Sequence, residues 1–268
     1  MNILVFDIET VPDVETGRRI YDLVEMNDAK VADAMFAKRR AESNSNSDFL
    51  QHHLHRIVAI SVLLRQDPDK LRVASLGDPN SSEHELVSRF FDLLGRYNKP
   101  TLVSWNGSGF DLPVLHYRAL KHAVVASDYW ELGEKDQSFR WNNYISRYHM
   151  RHTDLMDLLS LYQARSYVSL ENLALLLGLP GKIGMHGSKV WETYQAGDIV
   201  KIRNYCETDV LNTYLVYLRF ELMRGHFDAE SYQRECHRLR NYLAAKGYPH
   251  LSEFLSAWSN SDGCTPPP

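Results

Sequence analysis

The chain has 268 residues, of which 44% are hydrophobic and 24% are charged, and its formal net charge is −4. This balance is typical of a globular protein with a full core, and it excludes a protein that binds nucleic acid through a bulk positive charge. The sequence has no apolar stretch near the ~20 residues of a membrane helix, and its start lacks a basic signal-peptide region. We therefore expect a cytoplasmic protein without membrane contact.

The three cysteines do not indicate a structural site. Cys206, Cys236 and Cys264 are odd in number and widely spaced, and none belongs to a Cys-x-x-Cys pair. Neither a disulfide framework nor a zinc site is predicted, and we expect reduced thiols.

The first ten residues carry two acids where a core residue is expected. An apolar run at residues 2–6 predicts a buried strand, which leads into Asp7-Ile8-Glu9-Thr10. Because alternate residues of a strand share a face, Asp7 and Glu9 project together. Burying two unpaired like charges is costly, so the pair predicts a cation between them, and carboxylate oxygens suit Mg²⁺ or Mn²⁺. Taken alone, the pair also fits a solvated strand end.

Residues 13–55 look like an insertion after this strand, with a helical stripe of apolar residues followed by a polar run at 43–48 that predicts a mobile loop. The insertion either covers a site at the strand end or decorates the surface. Strands are then predicted at 56–65 and 71–76, joined by a turn at 67–70 into a hairpin. A capped helix begins near Ser82, and a fourth strand covers 101–105.

A second acid follows the fourth strand. The turn Asn106-Gly107-Ser108-Gly109 leads into a predicted helix that Asp111 or Leu112 would cap, with Pro113 in its first turn. Asp111 thus lies just beyond a strand end, as Asp7 and Glu9 do.

The segment 126–151 interleaves aromatic residues with arginines. Such a segment can stack bases and hold phosphates, but aromatic residues also pin irregular segments to a core, and both interpretations stay open. A short strand is predicted near 150–153. Helices are predicted at 154–162, 169–177, 188–196, 198–223, 229–246 and 251–258, followed by a disordered tail at 259–268.

The long helix at 198–223 carries a third candidate motif. Tyr205 and Asp209 are four residues apart and share a helix face, so a phenol and a carboxylate are directed together toward the core.

Together, Phe6-Asp7-Ile8-Glu9-Thr10, Asn106 to Asp111, and Tyr205 to Asp209 resemble the three motifs of the DEDD superfamily of 3′→5′ exonucleases. The histidine subclass has His five residues before the last Asp, where this chain has Asn204, so the tyrosine subclass fits. More closely, residues 1–224 resemble the bacterial family of predicted 3′→5′ exonucleases related to the proofreading domain of family B DNA polymerases. That closer resemblance is carried by Arg56 to Ser61, Leu179 to Lys182, Gly187 to Val190 and Tyr205 to Arg219.

The resemblance implies an α/β fold, with a ribonuclease H-like mixed five-stranded sheet flanked by helices and C-terminal helical additions, in a single domain over residues 1–258. It also implies two Mg²⁺ or Mn²⁺ ions held by the catalytic acids Asp7, Glu9, Asp111 and Asp209. Two such ions neutralise phosphoryl oxygens, activate water and stabilise the leaving 3′ oxygen. The catalytic Tyr205 then needs only to orient the attacking water.

Further residues are candidates for contacts with nucleic acid or metal, and a structural role is the alternative for them. Nucleic-acid contacts are expected from Thr10, Asn106, Phe110, Lys182 and Lys189, and Lys201 and Arg203 are weaker phosphate candidates. Asn106 equally suits a turn, and most exposed lysines bind nothing specific. Asp154 either lies near the metals or caps a helix. The histidines His52, His53 and His55 invite a metal hypothesis but lack a clear partner set.

We therefore expect a metal-dependent 3′→5′ exonuclease that releases nucleoside 5′-monophosphates from single-stranded 3′ ends, with DNA favoured. One alternative is an RNA-directed exoribonuclease. The other is a non-catalytic nucleic-acid-binding module, whose signature would be the loss of one acid. The low basicity suggests short substrates or a protein partner that delivers the substrate.

Overall fold

The computed structural model describes residues 2–43, 47–66 and 70–259. Its strands are Ile3–Pro12 (β1), His55–Gln66 (β2), Lys70–Ser75 (β3), Thr101–Ser104 (β4) and His152–Asp154 (β5). They form one sheet of order β3-β2-β1-β4-β5, in which β1 pairs antiparallel with β2 and parallel with β4. The pair β2–β3 is antiparallel and β4–β5 is parallel. The predicted mixed sheet of five strands is confirmed.

Helices flank this sheet and extend the C-terminal part. They are Val14–Tyr21 (α1), Asp28–Glu42 (α2), Glu83–Arg96 (α3), Asp111–His122 (α4), Leu155–Leu159 (α5), Leu170–Leu176 (α6), Val190–Gln195 (α7), Ile199–Met223 (α8), Ala229–Lys246 (α9) and Pro249–Ser259 (α10). Single 3₁₀ turns occur at His52–Leu54, Gln137–Arg140, Ala164–Ser166 and Gly187–Lys189. The insertion between β1 and β2 is helical, as predicted.

Several boundaries differ from the sequence prediction. β1 continues to Pro12 because its residues stay paired with β2, so Asp7 and Glu9 lie inside the strand. α5 stops at Leu159, well before residue 162, because Leu161 and Tyr162 adopt left-handed φ angles of 52° and 61°. Helix α10 includes Ser259, which was predicted to begin the tail. Residues 44–46 of the predicted loop, 67–69 of the predicted turn and 260–268 of the tail lie outside the described residues.

The alternation of β1 decides which face of the sheet carries the acids. Leu4, Phe6 and Ile8 pack into the apolar cluster that contains residues of α3 and α4. Ile3 and Val5 pack on the opposite face, in the cluster that contains α8, α9 and α10. Asp7 and Glu9 share the second face, so they point toward α8, which packs across β1 and β2.

A buried ion-pair network fixes the start of the insertion to the helices of the other face. Asp13 caps α1 and accepts hydrogen bonds from Arg118 and Lys121 of α4. Arg118 also pairs with Glu83, the first residue of α3. Arg118 and Asp13 are each 2% exposed, and these cationic partners lower the pKa of Asp13 against the raising effect of its burial.

Within the part of the chain that the structure describes, no helix is both long enough and apolar enough to cross a membrane.

Replacing Arg118 with Ala should destabilise the protein by about 3 kcal/mol or more, because the buried Asp13 and the partly buried Glu83 lose their shared partner. The free energy of unfolding in urea measures this effect. Arg89→Ala is the matched control, since Arg89 makes an exposed ion pair with Glu85 and its loss should cost under about 1 kcal/mol. Equal losses in the two variants would contradict a stabilising role for the buried network.

Candidate active site

The first two acids come from the central strand. Asp7 is half-buried and Glu9 is 8% exposed, and both project from β1 toward α8. The pairing register between β1 and β2 shifts between Glu9 and Thr10. This irregularity bends the strand directly after the acids, a local geometry that often occurs beside active sites.

Helix α8 supplies the facing side chains. Tyr205 and Asp209 lie one turn apart on α8, and the negative charge of Asp209 is close enough to act on the Tyr205 phenol. Cys206 is fully buried between them and β1, and its Sγ lies 3.4 Å from both the carbonyl oxygen and Oδ2 of Asp7. The predicted shared face of Tyr205 and Asp209 is confirmed, and Cys206 adds a thiol to the acids.

Asp111 reaches the same place from the opposite side of β1. It is the first residue of α4, and its Oδ1 accepts a hydrogen bond of 3.1 Å from the backbone N–H of Ile8. The prediction that Asp111 or Leu112 caps this helix is wrong, because Phe110 occupies the cap position and makes no side-chain cap. The carboxyl group is used instead to join the loop to the strand that carries Asp7.

Asp154 holds the loop that precedes Asp111. Its two carboxylate oxygens accept hydrogen bonds from the backbone N–H groups of Asn106 and Ser108, at 3.0 and 2.8 Å. It also caps α5 through Met156 and Asp157, so the prediction of a helix cap is confirmed. With four N–H partners on one carboxylate, Asp154 positions the loop, a role that sequence reasoning missed.

The four acids share one electrostatic environment. Burial, followed by repulsion from the other acids, raises the pKa values of Asp7 and Glu9 well above their ordinary range. Burial raises the pKa of Asp111 to about 7 and that of Asp209 to about 6. Lys182 opposes the shift at Glu9 and Asp209. Such shifts mark a site where like charges lack sufficient compensation from protein groups.

One buried oxygen without a partner bears on which ligand the site fits. Oδ1 of Asp209 is buried and has no hydrogen-bond partner, and Asp209 is 8% exposed. Asp7, Glu9 and Cys206 bring ligand atoms within 4.8 Å of one another. Carboxylate oxygens in this arrangement fit a divalent cation such as Mg²⁺ or Mn²⁺.

The acids open onto a cavity of about 380 Å³. Asp7, Asp111 and Asp209 line it on one side. The remaining lining is made by Ile8, Trp105, Asn106, Phe110, Met156, Tyr167, Val168, Ser169, Leu170 and Lys182. The cavity therefore joins three carboxylates, several apolar surfaces and one cation.

Comparison with known proteins gives a family for this chain. A family described as a predicted 3′-5′ exonuclease related to the exonuclease domain of PolB matches residues 47–258, which is most of the chain. The chain belongs to this exonuclease family. The matched stretch contains Asp111, Tyr205 and Asp209, and it begins after Asp7 and Glu9, which β1 brings to the same site.

Similar curated proteins are DNA polymerases. The chain is 25% identical to a DNA polymerase of Archaeoglobus fulgidus over 174 residues, which are 64% of this chain and 21% of that protein. It is 39% identical to DNA polymerase 1 of Sulfurisphaera ohwakuensis over 64 residues, 23% of this chain and 7% of that protein. The chain thus spans about a fifth, or less, of these relatives.

A solved structure with a related shape is the family B DNA polymerase of Pyrobaculum calidifontis. The TM-score is 0.47 at 17% identity, and the alignment covers 83% of this chain and 24% of that one.

The predicted nucleic-acid contacts of this exonuclease-family chain divide into two groups. Asn106, Phe110 and Lys182 line the cavity. Asn106 has a left-handed φ of 64°, which also supports its role as a turn residue, and a side chain at Gly109 would collide with its carboxamide. The Lys182 ammonium lies 5.7 Å from the ring centroid of Tyr205.

The other predicted contacts lie away from the cavity lining. Thr10 hydrogen-bonds Nδ1 of His55 at 2.8 Å, and Lys189 is ion-paired with Glu192 at 2.8 Å on the surface. The guanidinium of Arg203 donates to backbone carbonyl groups between Ser75 and Asp78. The hypothesis of a phosphate contact at Arg203 is therefore disfavoured.

The histidines of the insertion are structural. Both ring nitrogens of His55 have protein partners, Thr10 and the carbonyl of Leu50, and burial lowers the pKa of His55 to about 4. His52 hydrogen-bonds the carbonyl of Gly109, and the rings of His55 and Phe49 pack on Phe110. The insertion thus supports the Asn106–Asp111 loop, and these rings are not arranged as a metal site.

The segment 126–151 mainly anchors itself to the core. Tyr129, Phe139 and Tyr144 are buried, and Tyr129 and Tyr144 stack with ring centroids 5.6 Å apart. Trp141 and Tyr148 are exposed. The core-pinning interpretation is confirmed for the three buried rings.

The stability of the metal-free protein should depend on pH through these acids. The pKa of Asp111 is raised to about 7, so the folded state binds its proton more tightly than the unfolded state does, and this contribution to stability is lost as pH rises from about 4 to about 7. Without metal, Asp111→Asn should therefore gain stability relative to wild type by up to a few kcal/mol between about pH 5 and about pH 8. Urea unfolding in EDTA at both pH values measures the difference.

The comparison with a variant is needed because His55, His116 and His152 change the stability of the protein with pH in the direction opposite to Asp111. Burial lowers the pKa of each to about 4, so their contribution to stability is lost as pH falls. These three histidines are also present in Asp111→Asn, so their contributions cancel in the stability difference between the variant and wild type. A stability difference independent of pH would contradict the raised pKa of Asp111.

Proposed function

We propose that the chain is a 3′→5′ exonuclease of the tyrosine subclass of the DEDD superfamily. It hydrolyses phosphodiester bonds at single-stranded 3′ ends and releases nucleoside 5′-monophosphates, using two Mg²⁺ or Mn²⁺ ions. The observation that carries this proposal is the convergence of Asp7, Glu9, Asp111 and Asp209, with Tyr205, in a chain of the exonuclease family. Three separate segments of sequence supply these groups, and no acid of the set is missing.

The four carboxylates would hold the ions. When bound, two divalent cations neutralise the phosphoryl oxygens, activate water and stabilise the leaving 3′ oxygen. The orphaned Oδ1 of Asp209 supports this assignment, because a bound cation would satisfy an otherwise unpaired buried oxygen. The raised pKa values of the acids support it too, because a cation between them would favour their charged forms.

Tyr205 is proposed to orient the attacking water. Burial, followed by the charge of Asp209, raises the pKa of its phenol, so the hydroxyl keeps its proton at neutral pH. A neutral phenol has one proton to donate and lone pairs with which to accept a hydrogen bond from a water molecule. This state fits orientation better than proton abstraction.

Recognition of the 3′ end is proposed for the cavity. Asn106 and Phe110 present an amide and a ring beside the acids, and Lys182 supplies a cation for a phosphate. Thr10 and Lys189 remain proposed contacts for the strand outside this cavity. DNA is favoured because the similar curated proteins are DNA polymerases. With a net charge of −4, the chain would bind long strands weakly and benefit from a partner that delivers the substrate.

We expect the protein to shorten 5′-labelled single-stranded DNA from its 3′ end with Mg²⁺ or Mn²⁺, and RNA of the same sequence more slowly. EDTA should abolish the ladder on a denaturing gel. Tyr205→Phe should slow hydrolysis by about a hundredfold, because the water loses its orienting hydroxyl. Asp7→Asn should cause a larger loss, because it removes a metal ligand.

Asp92→Asn is the matched control, since Asp92 is an exposed acid of α3, and its rate should equal that of wild type. If DNA and RNA both stay intact with either metal while the folded protein still binds them, a non-catalytic binding module is the better description. Faster hydrolysis of RNA than of DNA would reverse the proposed preference.

A further inference from the structure

We infer that Cys206 gives the carboxylate site a second specificity, for a thiolate-binding cation such as Zn²⁺ or Cd²⁺, with Asp7 and Glu9 as the other ligands. This occupant would compete with Mg²⁺ or Mn²⁺ and hold the enzyme inactive. The inhibitory consequence rests on the proposed function, but the binding of the cation does not.

Two of the ligand atoms already lie at the spacing of a zinc site. Sγ of Cys206 lies 3.4 Å from Oδ2 of Asp7, and ligand atoms of Asp7, Glu9 and Cys206 all lie within 4.8 Å of one another. With zinc–sulfur and zinc–oxygen bonds of about 2.3 and 2.1 Å, the sulfur–oxygen edge of a tetrahedral zinc site is about 3.6 Å. The thiol and the carboxylate are thus already separated by nearly the required distance.

A further unpaired carboxylate oxygen faces the same cavity, outside this group of three. Oδ1 of Asp209 is buried without a partner, and Asp209 and Asp7 line the same cavity. The cavity gives a cation access to the half-buried Asp7, although Cys206 itself is 0% exposed.

The combination of a thiolate with carboxylates distinguishes two classes of cation by their preferred ligands. Mg²⁺ prefers oxygen ligands in octahedral geometry and keeps several waters, so a thiolate adds little to its binding. Zn²⁺ and Cd²⁺ accept thiolate ligands readily, and the Cys206 thiol would release its proton to solvent when it binds. A compact site on Asp7, Glu9 and Cys206 would withdraw Asp7 and Glu9 from the arrangement proposed for two hard cations.

The test uses metal binding without nucleic acid. Metal-stripped full-length protein is titrated with Co²⁺, and the thiolate-to-cobalt charge-transfer absorption in the near ultraviolet is recorded. We expect the band in wild type, its loss in Cys206→Ser and its retention in Cys236→Ser. Cys236 is the matched control because it is also a buried helical cysteine, but it packs within the core cluster of α9.

Calorimetric titration then compares Cd²⁺ with Mg²⁺. Loss of one soft ligand should weaken Cd²⁺ binding by about tenfold or more, while Mg²⁺ binding changes much less. Cys206→Ala serves as a second variant in case Cys206→Ser misfolds. A wild-type protein without the band, a band that survives both replacements, or equal losses for Cd²⁺ and Mg²⁺ would each overturn the inference.

Failure of the proposed function gives a different pattern. A Cys206-dependent cobalt band in a protein that leaves DNA and RNA intact with Mg²⁺ and Mn²⁺ would retain the soft-cation site and remove the exonuclease. An active exonuclease whose Cd²⁺ affinity does not depend on Cys206 would retain the exonuclease and remove the soft-cation site.

Discussion

The central constraint on this molecule is the repulsion among four carboxylates that are held in a largely buried place. Asp7, Glu9, Asp111 and Asp209 come from three segments, and burial together with their neighbours raises the pKa of each. Lys182 opposes this at Glu9 and Asp209, but Oδ1 of Asp209 still lacks a partner. A cluster of this kind is unfavourable for folding and becomes favourable when a cation is bound.

The rest of the fold offsets this unfavourable free energy, because it fixes the backbone segments that carry the four acids. β1 is paired on both sides, and α8 covers the face from which Asp7 and Glu9 project. The loop before Asp111 is held by two hydrogen bonds from its backbone N–H groups to Asp154, and from outside by the rings of the insertion packed on Phe110. Rigid support of this kind keeps like charges close together that would otherwise move apart.

Local periodicity explains what could be predicted from the sequence. The two-residue alternation of β1 placed Asp7 and Glu9 on one face, and the four-residue spacing in α8 paired Tyr205 with Asp209. Contacts between segments that are far apart in the sequence cannot be predicted from such local patterns. Asp154 meets amides 46 and 48 residues away, which no local pattern encodes. The number and spacing of the cysteines indicate only a reduced thiol at Cys206, although its spacing of three residues from Asp209 indicates a common helix face.

The most direct test of the central claim is the thermal stability of Asp209→Asn with and without metal. The amide keeps the shape of the side chain while removing one of the repelling charges. In EDTA the variant should melt at a higher temperature than wild type, and saturating Mg²⁺ or Mn²⁺ should stabilise wild type more than the variant. A variant that melts below wild type in EDTA and shows the same metal-induced shift would contradict the claim that a bound cation relieves repulsion among the four acids.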